Sequence, residues 1–105
     1  RMSNDKDIPY LGIHGADVTL QVHEELGVPY GTYIMEIDMD SPAMAAGIQS
    51  GDVVTGIGDT KVTSYQELIN GMMDMEPEET MTLTLLRQGP GGYTEMELSV
   101  TLGTR

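Results

Sequence analysis

The sequence predicts a small α+β domain, a partly open β-barrel or sandwich of five to six short strands with two to three short helices. Three observations lead to this fold class. The chain has 105 residues, which suffice for one domain but not for two. Turn residues interrupt it at short intervals. Between the turns, segments whose apolar residues alternate, as in strands, are mixed with segments whose apolar residues recur at helical spacing.

The composition narrows the range of partners. The net charge of −12 repels nucleic-acid phosphates and anionic lipid, so we expect no nucleic-acid partner and no role at a membrane surface. No apolar run approaches the ~18 residues of a membrane span, so we expect no membrane insertion by this segment. Without cysteine the fold uses no disulfide and offers no thiol. Because Phe and Trp are absent, the core must be aliphatic, with methionine as a filler.

The N-terminal third predicts one strand and one helix. The first extended segment covers residues 8–15 and is interrupted by Gly12. Residues 20–26 are the next predicted element, a short helix, because Thr19 can act as its N-cap and Gly27 can end it. Apolar residues also alternate in this segment, so a strand is an alternative there.

The middle of the chain predicts a strand, a short helix and a second strand. Residues 32–38 form the first of these strands. In the helix of one to two turns that follows, Ser41 can cap the N-terminus, Pro42 suits the first position and Gly47 ends it. Residues 53–57 then form the next predicted strand.

The second long helix has the clearest start signal in the sequence. Ser64 and Glu67 match a capping box, with Ser64 as the N-cap and Glu67 three residues later. A stripe of five apolar residues follows at helical spacing: Tyr65, Leu68, Ile69, Met72 and Met73. We expect Leu68 and part of the two methionines to lie in the core. Because the stripe is wide for a short helix, one edge of it could line a groove.

The C-terminal third predicts a β-hairpin. Residues 80–86 alternate apolar residues with threonine, and residues 93–102 place four apolar residues on one face. The glycine-rich stretch 89–92 connects the two strands. The acidic stretch 74–79, before the hairpin, is expected to be a solvated loop, with electrostatic selection of basic partners as the functional alternative.

Motifs for catalysis, metals and phosphates are weak in this sequence. His14 and His23 are its only histidines, no G-x-S-x-G elbow surrounds any serine, and we expect both histidines to face solvent or lie on an edge strand. Asp38 and Asp40 begin like a calcium loop, but Pro42 stands where the third ligand would be. No glycine-rich phosphate motif is present. The sequence therefore predicts no catalytic residue, no metal and no cofactor.

Gly12 raises a different possibility, because it stands between two branched aliphatic residues where a simple strand would avoid glycine. A glycine turn that enters an edge strand leaves consecutive N–H groups unpaired, and such a concavity binds anions. A peptide C-terminal carboxylate would fit it, and the rest of the peptide could pair with the strand edge. The alternative is a plain β-bulge or a kink in an edge strand.

The order and spacing of several segments are similar to those of PDZ domains, and most closely to the PDZ domains of HtrA/Deg-type serine proteases. The resemblance covers residues 10–102, almost the whole chain. The similar segments are residues 10–13, 31–37, 41–48, 51–54, 64–68 and 85–87. It implies a PDZ-like fold for residues 10–105, after a tail, linker or cut end over residues 1–9.

The resemblance also implies a function. The domain would capture C-terminal or exposed extended segments by β-strand addition, and would serve substrate recognition or regulation of an attached HtrA-type serine protease. The segment itself would be non-catalytic, because the triad of such proteases lies in an upstream trypsin-like domain. Partners would be the protease domain and C-termini or unfolded chains with an apolar last residue. By resemblance the location is extracytoplasmic, and such proteases are often membrane-tethered.

The resemblance implies a set of site residues. The backbone N–H groups of Leu11, Gly12 and Ile13 would hold the ligand carboxylate. The remaining groove residues would be Tyr10, His14, Gly15, Tyr65, Ile69 and Met72, and the pocket for the last ligand side chain would be formed by Leu11, Ile13, Ile69 and Met72. Many PDZ domains have histidine where this chain has Tyr65, so selection of Ser or Thr two residues before the ligand terminus is not expected.

Two alternative readings are kept. The groove could dock a neighbouring domain in a regulatory or assembly role instead of binding free substrate. The host could also be another protease class, either a carboxyl-terminal processing protease or an intramembrane protease.

Overall fold

The computed structural model describes residues 8–104, which form eight strands and three helices. In chain order they are β1 (Pro9–Tyr10), β2 (Ile13–Asp17), α1 (Leu20–Leu26), β3 (Thr32–Ile37), α2 (Pro42–Ala46), β4 (Val53–Ile57), β5 (Thr60–Lys61), α3 (Tyr65–Met73), β6 (Thr80–Gly89), β7 (Gly92–Thr101) and β8 (Gly103–Thr104). The α+β class is confirmed, and three strands of two residues raise the strand number above the predicted five to six.

The strands form two antiparallel sheets. The large sheet has the order β2-β3-β4-β6-β7, with β5 paired to β4, and β1 pairs with β8 in a separate ribbon. Among residues 8–104, β2 pairs with β3 alone, so one edge of β2 has no strand neighbour. That edge matters for the site described below.

The core is aliphatic, as the composition predicts. α3 contributes Leu68 and Met72 to it, and β6 turns Met81, Leu83 and Leu85 inward, in the predicted alternation. α2 adds Ala43. Each long element therefore buries one face against the same cluster of side chains.

Residues 20–26 are helical, which decides between the two alternatives for that segment. The Thr19 side chain accepts a hydrogen bond from the N–H of Val22, and Gly27 ends the helix at φ 72°. The C-terminal hairpin is longer than predicted. β6 continues to Gly89, which pairs with Gly92 across a tight turn, because the predicted loop residues also extend the ladder.

The predicted capping box of α3 is half correct. The Ser64 hydroxyl accepts from the N–H of Glu67 at 3.1 Å, as expected. The Glu67 carboxylate, however, accepts from the N–H and the hydroxyl of Thr63, both at 2.7 Å, instead of the N–H of Ser64. These two hydrogen bonds lower the pKa of Glu67.

A buried ion pair holds the turn before β4 against β6. Arg87 donates from Nε and Nη2 to the two carboxylate oxygens of Asp52, at 2.9 and 2.7 Å, and also to the carbonyl oxygen of Gly47 at 2.8 Å. Asp52 also accepts from the N–H of Gln49 at 2.9 Å, so its buried carboxylate is well satisfied. The hydrogen bond that Arg87 donates to Asp52 raises the pKa of Arg87.

Candidate functional site

The open edge of β2 and the start of helix α3 border a candidate groove, whose far end is held by hydrogen bonds between side chains and backbone groups. The N–H of Tyr65 donates to the Asp17 carboxylate at 2.7 Å, and the Thr32 hydroxyl donates to the carbonyl oxygen of Ser64 at 2.9 Å. These contacts connect the start of α3 to the last residue of β2 and the first residue of β3. The separation of the two groove walls is therefore set there.

Gly12 lies in the turn that precedes β2, and only glycine fits this position. Its φ is +90°, and a Cβ there would lie 2.3 Å from Cβ of Ser41 and 2.8 Å from its hydroxyl. Ser41 is the N-cap of α2, so the turn packs directly on the start of that helix. The sequence marked Gly12 as unusual, and the structural reason is this close approach of α2.

The carbonyl groups of this turn bond to other parts of the fold. The N–H of Ala43 donates to the Leu11 carbonyl at 2.9 Å, and the N–H of Asp38 donates to the Gly12 carbonyl at 2.8 Å. Within residues 8–104, the N–H groups of Leu11 and Gly12 donate to no backbone or side-chain acceptor. Two adjacent donors therefore remain available at the start of an edge strand, which is the arrangement that binds anions.

A carboxylate bridges the two polar side chains predicted beside this turn. Asp38 accepts from the Tyr10 hydroxyl at 2.6 Å and from Nε2 of His14 at 2.8 Å. His14 is exposed on edge strand β2, as expected for it, while Tyr10 is half-buried. The residues thus hold β1, β2 and the end of β3 together around the turn.

The apolar residues predicted for the ligand pocket are only partly brought together. Leu11 and Met72 are buried in the core cluster, and Ile13 packs against it. Ile69 is half-buried on α3 and lies outside that cluster. Leu68 is fully buried and Met73 is more than half exposed, so the helix is rotated as the sequence predicts, with Leu68 toward the core.

Gly15 and Tyr65 face each other across the groove. A Cβ on Gly15 would lie 2.9 Å from Cδ1 of Tyr65 and 2.7 Å from Cγ2 of Thr32. The tyrosine ring therefore rests on the backbone of β2. A register shift between His14 and Gly15 leaves Met35 of β3 without a partner at this point of the ladder.

Sequence reasoning missed the positioning contacts of four residues near the site. Asp17 and Thr32 hold the start of α3, and Ser41 packs on the turn at Gly12. Asp38 was considered only as the start of a calcium loop, whereas it accepts from Tyr10 and His14. Only Ser41 carried a usable signal, as an N-cap. The other contacts join residues that are far apart in the chain.

A separate cavity of about 590 Å³ lies on the side of α3 that faces away from β2. Glu67, Gly71 and Asp74 line it from the helix, and β4, β5 and β6 supply the other walls. None of the predicted site residues lines this cavity.

None of the helices in residues 8–104 has both the length and the apolar character that a membrane-spanning helix needs.

The comparison with known sequences and the comparison with solved structures agree with each other. The family model described as PDZ domain matches residues 9–102. The chain is 30% identical over 98 residues to the serine protease Do-like HtrA of Lactococcus lactis subsp. lactis (strain IL1403), covering 87% of this chain and 24% of that protein. It is 30% identical over 96 residues to the periplasmic pH-dependent serine endoprotease DegQ of Escherichia coli (strain K12), covering 90% of this chain and 20% of that protein.

Solved structures share the fold. The HtrA-type protease AlgW with decapeptide matches with a TM-score of 0.80 at 23% identity, over 94% of this chain and 30% of that one. The HtrA3 PDZ domain bound to the phage-derived ligand FGRWV matches with a TM-score of 0.77 at 22% identity, over 94% of this chain and 88% of that one. The chain spans about a quarter or less of the length of the curated relatives described above.

Proposed function

This chain belongs to the PDZ domain family, and on that premise we propose that its groove captures the C-terminal segment of a protein by β-strand addition. The observation that carries the proposal is the pair of N–H groups at Leu11 and Gly12, which have no acceptor among residues 8–104 and stand at the start of a strand with one strand neighbour in that range. The N–H of Ile13 is the third proposed donor to the ligand carboxylate.

The ligand would run antiparallel to β2. Its carboxylate would enter the turn before Ile13, and its backbone would pair with Ile13, His14 and Gly15. Its last side chain would be apolar and would contact Leu11, Ile13, Ile69 and Met72. A segment of four or five residues buries little surface and must be ordered on binding, so we expect a dissociation constant in the roughly micromolar range.

Tyr10 and His14 would act from beside the carboxylate turn, because both donate to Asp38, which in turn donates its N–H to the Gly12 carbonyl. Tyr65 would face the ligand residue two before the terminus. Since its ring already rests on Gly15, small ligand side chains are expected at that position.

The larger protein would be an HtrA-type serine protease, with this non-catalytic domain recognising substrates or regulating the protease. The two relatives described above are serine proteases and contain a segment similar to this chain. DegQ is named as periplasmic, which supports an extracytoplasmic location here. The division into a tail over residues 1–9 and a domain over residues 10–105 remains a prediction, and residues 1–7 lie outside the described part of the chain.

The test compares two peptides of identical sequence, one with a free C-terminal carboxylate and one amidated. Both are titrated against the domain by calorimetry. We expect the acid to bind at least tenfold more tightly, because the amide removes the charge that the N–H groups would hold. Equal affinities would refute the carboxylate site. Binding of no free peptide would favour a groove that docks a neighbouring domain.

A further inference from the structure

The cavity on the side of α3 that faces away from β2 has the dimensions of a ligand site. Its volume of about 590 Å³ lies within the range of about 300–1,000 Å³ that is usual for small-molecule pockets. Four residues at helical spacing, on one face of α3, form its helical wall: Glu67, Asn70, Gly71 and Asp74. Tyr65 and Ile69, the proposed groove residues of α3, lie about 160° round the helix from Glu67.

The cavity opens beyond a close contact between α3 and β4. At this contact α3 has Gly71, where a Cβ would lie 2.9 Å from Cγ2 of Ile57, the last residue of β4. β4 pairs with β6 only as far as Leu83, and the chain then turns into β5. The first three residues of β6, 80–82, line the cavity opposite the end of α3. The end of β4 therefore leaves a space that no side chain of the described domain fills.

The lining combines apolar side chains with two carboxylates. Ile57 and Met81 are buried and Met75 is half-buried, and all three line the cavity. Glu67 and Asp74 are exposed at the two ends of the helical wall. The seven residues between them correspond to about 10 Å along the helix axis. A ligand with aliphatic stems and charged ends suits such a surface.

The two carboxylates of the cavity have no cationic partner among residues 8–104. The basic residues in this range are Lys61 and Arg87, and Arg87 pairs with Asp52. Lys61 lines the cavity from β5 and forms no ion pair within the same range. The described domain thus supplies negative charge to the cavity without neutralising it.

The position of Asp74 is unfavourable for α3 itself. Asp74 is the C-cap of this helix, and the last turn contains no basic residue. The C-terminus of a helix carries partial negative charge, so that a carboxylate is repelled there and a cation is stabilised. The loop that follows adds three exposed carboxylates, those of Glu76, Glu78 and Glu79. A cation bound beside Asp74 would offset both effects.

We propose that this cavity is a second binding site, which takes arginine side chains of a basic polypeptide segment. The planar guanidinium can pair with a carboxylate through two hydrogen bonds, and it is more weakly hydrated than the ammonium of lysine. Its aliphatic stem would contact Ile57, Met75 and Met81. The site goes beyond strand addition, because it uses the opposite face of α3 and requires no ligand carboxylate.

Charge complementarity favours this occupant over others. The net charge of −12 repels nucleic acid and anionic lipid. A second copy of the chain carries the same net charge and contains only five basic residues, so self-association through this cavity is disfavoured as well. A separate basic polypeptide is attracted by the whole domain and finds its unpaired carboxylates at this cavity.

The probe is the peptide acetyl-Gly-Arg-Gly-Gly-Arg-Gly-amide, whose blocked ends remove the carboxylate that the groove would bind. When the peptide is extended its two arginines are about 10 Å apart, which matches the spacing of Glu67 and Asp74. The control peptide has citrulline in place of both arginines, which keeps the shape of the side chain and removes its charge. Both peptides are titrated against the unchanged domain at low salt.

Two variants with the same net charge separate the cavity from the general attraction of an acidic protein. Glu67→Gln/Asp74→Asn removes the two carboxylates of the cavity, and Glu95→Gln/Glu97→Gln removes two exposed carboxylates of β7. Thermal melts verify that each variant is folded. Methyl NMR of the methionines of the unchanged domain locates the peptide, because Met75 and Met81 line the cavity.

We expect the arginine peptide to bind the unchanged domain about fivefold more tightly than the citrulline peptide, and to shift the methyl signals of Met75 and Met81. The Glu67→Gln/Asp74→Asn variant should lose this advantage, and the β7 variant should keep it. Equal affinities of the two peptides for the unchanged domain would overturn the inference. So would an equal loss in both variants, or binding that leaves the two methyl signals unchanged. Because the blocked peptides cannot use the carboxylate turn, none of these results bears on the proposed function.

Discussion

The carboxylate of Asp17, the last residue of β2, accepts a hydrogen bond from the backbone N–H of Tyr65, the first residue of α3, at 2.7 Å. The two residues are 48 positions apart, and their contact joins the walls of the groove. The carboxylate also lies at the positive end of the helix dipole, where a negative charge is favourable. The groove entrance is thus braced by a capping interaction supplied from the opposite wall.

We expect Asp17→Ala to lower the free energy of unfolding by about 1 kcal/mol, as the loss of a helix cap does. Peptide affinity should fall as well, because α3 is no longer held at a fixed distance from β2. Asp17→Asn is the matched control, since its amide oxygen can still accept from Tyr65. Chemical denaturation and peptide titration measure both effects, and an alanine variant as stable as the native domain would contradict the bracing role.

Gly12→Ala is expected to destabilise the domain by about 2–4 kcal/mol. A Cβ at φ +90° is strained, and it would lie 2.3 Å from Cβ of Ser41. Gly91→Ala is the control, because among the described residues no atom beyond its two chain neighbours lies within 4 Å of a Cβ built there. Thermal melts of the two variants compare the positions. Equal midpoints would mean that the turn and α2 separate at little cost.

Two neighbouring substitutions in α3 test the rotation of the helix. Leu68→Asp should unfold the domain, because Leu68 is fully buried and an unpaired carboxylate there is costly. Ile69→Asp should leave the domain folded and abolish peptide binding, because Ile69 is only half-buried and is proposed to contact the last ligand side chain. Circular dichroism and peptide titration distinguish the two outcomes. A Leu68→Asp variant that folds, or an Ile69→Asp variant that still binds peptide, would show that the groove face of α3 is assigned wrongly.

Basic ligand residues upstream of the apolar terminus should be preferred. Asp17 lies at the end of the groove, and Glu24 and Glu25 are exposed on α1. Peptides with Lys-Lys at the fourth and fifth positions from the end should bind about 1 kcal/mol better than peptides with Glu-Glu. The difference should shrink as salt is raised, since exposed charges are screened over about 8 Å. Equal binding of the two peptides at low salt would contradict this preference. Lys6, a basic residue just before the turn at Gly12 in the sequence, lies outside the described residues.

The stability of the domain should depend on Glu67 at acidic pH. Hydrogen bonds from Thr63 lower its pKa below 4.5 in the folded state. The stabilising contribution is therefore fully present above about pH 4.5, and is lost as the pH falls through the lowered pKa. Thermal midpoints of the native domain and the Glu67→Gln variant should differ at neutral pH and converge on acidification. A difference that does not change with pH would assign the effect to packing instead of charge.

Local signals predicted the elements well, because they act within a few residues. The hydroxyls of Thr19, Ser41 and Ser64 all cap the helices that follow them, each through the N–H three residues on. The predicted donor to the Glu67 carboxylate was wrong by one residue, because Thr63 donates to it instead of Ser64. Which N–H it reaches depends on the path of the chain at Thr63, which a capping-box spacing does not specify.

The candidate site was predicted only in part. Gly12 was recognisable because a glycine between branched aliphatic residues is costly in a strand, and the resemblance to PDZ domains predicted which residues would line the groove. Asp17, Asp38 and Thr32 had no such signal. Their partners lie 24 to 48 positions away, and polar contacts of that separation leave no periodicity or composition in the sequence.

The sequence by itself determined the α+β class, the helix starts, the aliphatic core and the turn at Gly12, because periodicity, capping and backbone freedom are properties of neighbouring residues. Only the tertiary structure decided that Asp17 braces α3, that Asp38 joins Tyr10 and His14, and that Leu20 and Leu26 remain exposed. An apolar pattern predicts that a helix has an apolar face. Whether another element covers that face depends on how distant segments of the chain pack, and for α1 the described domain leaves it open.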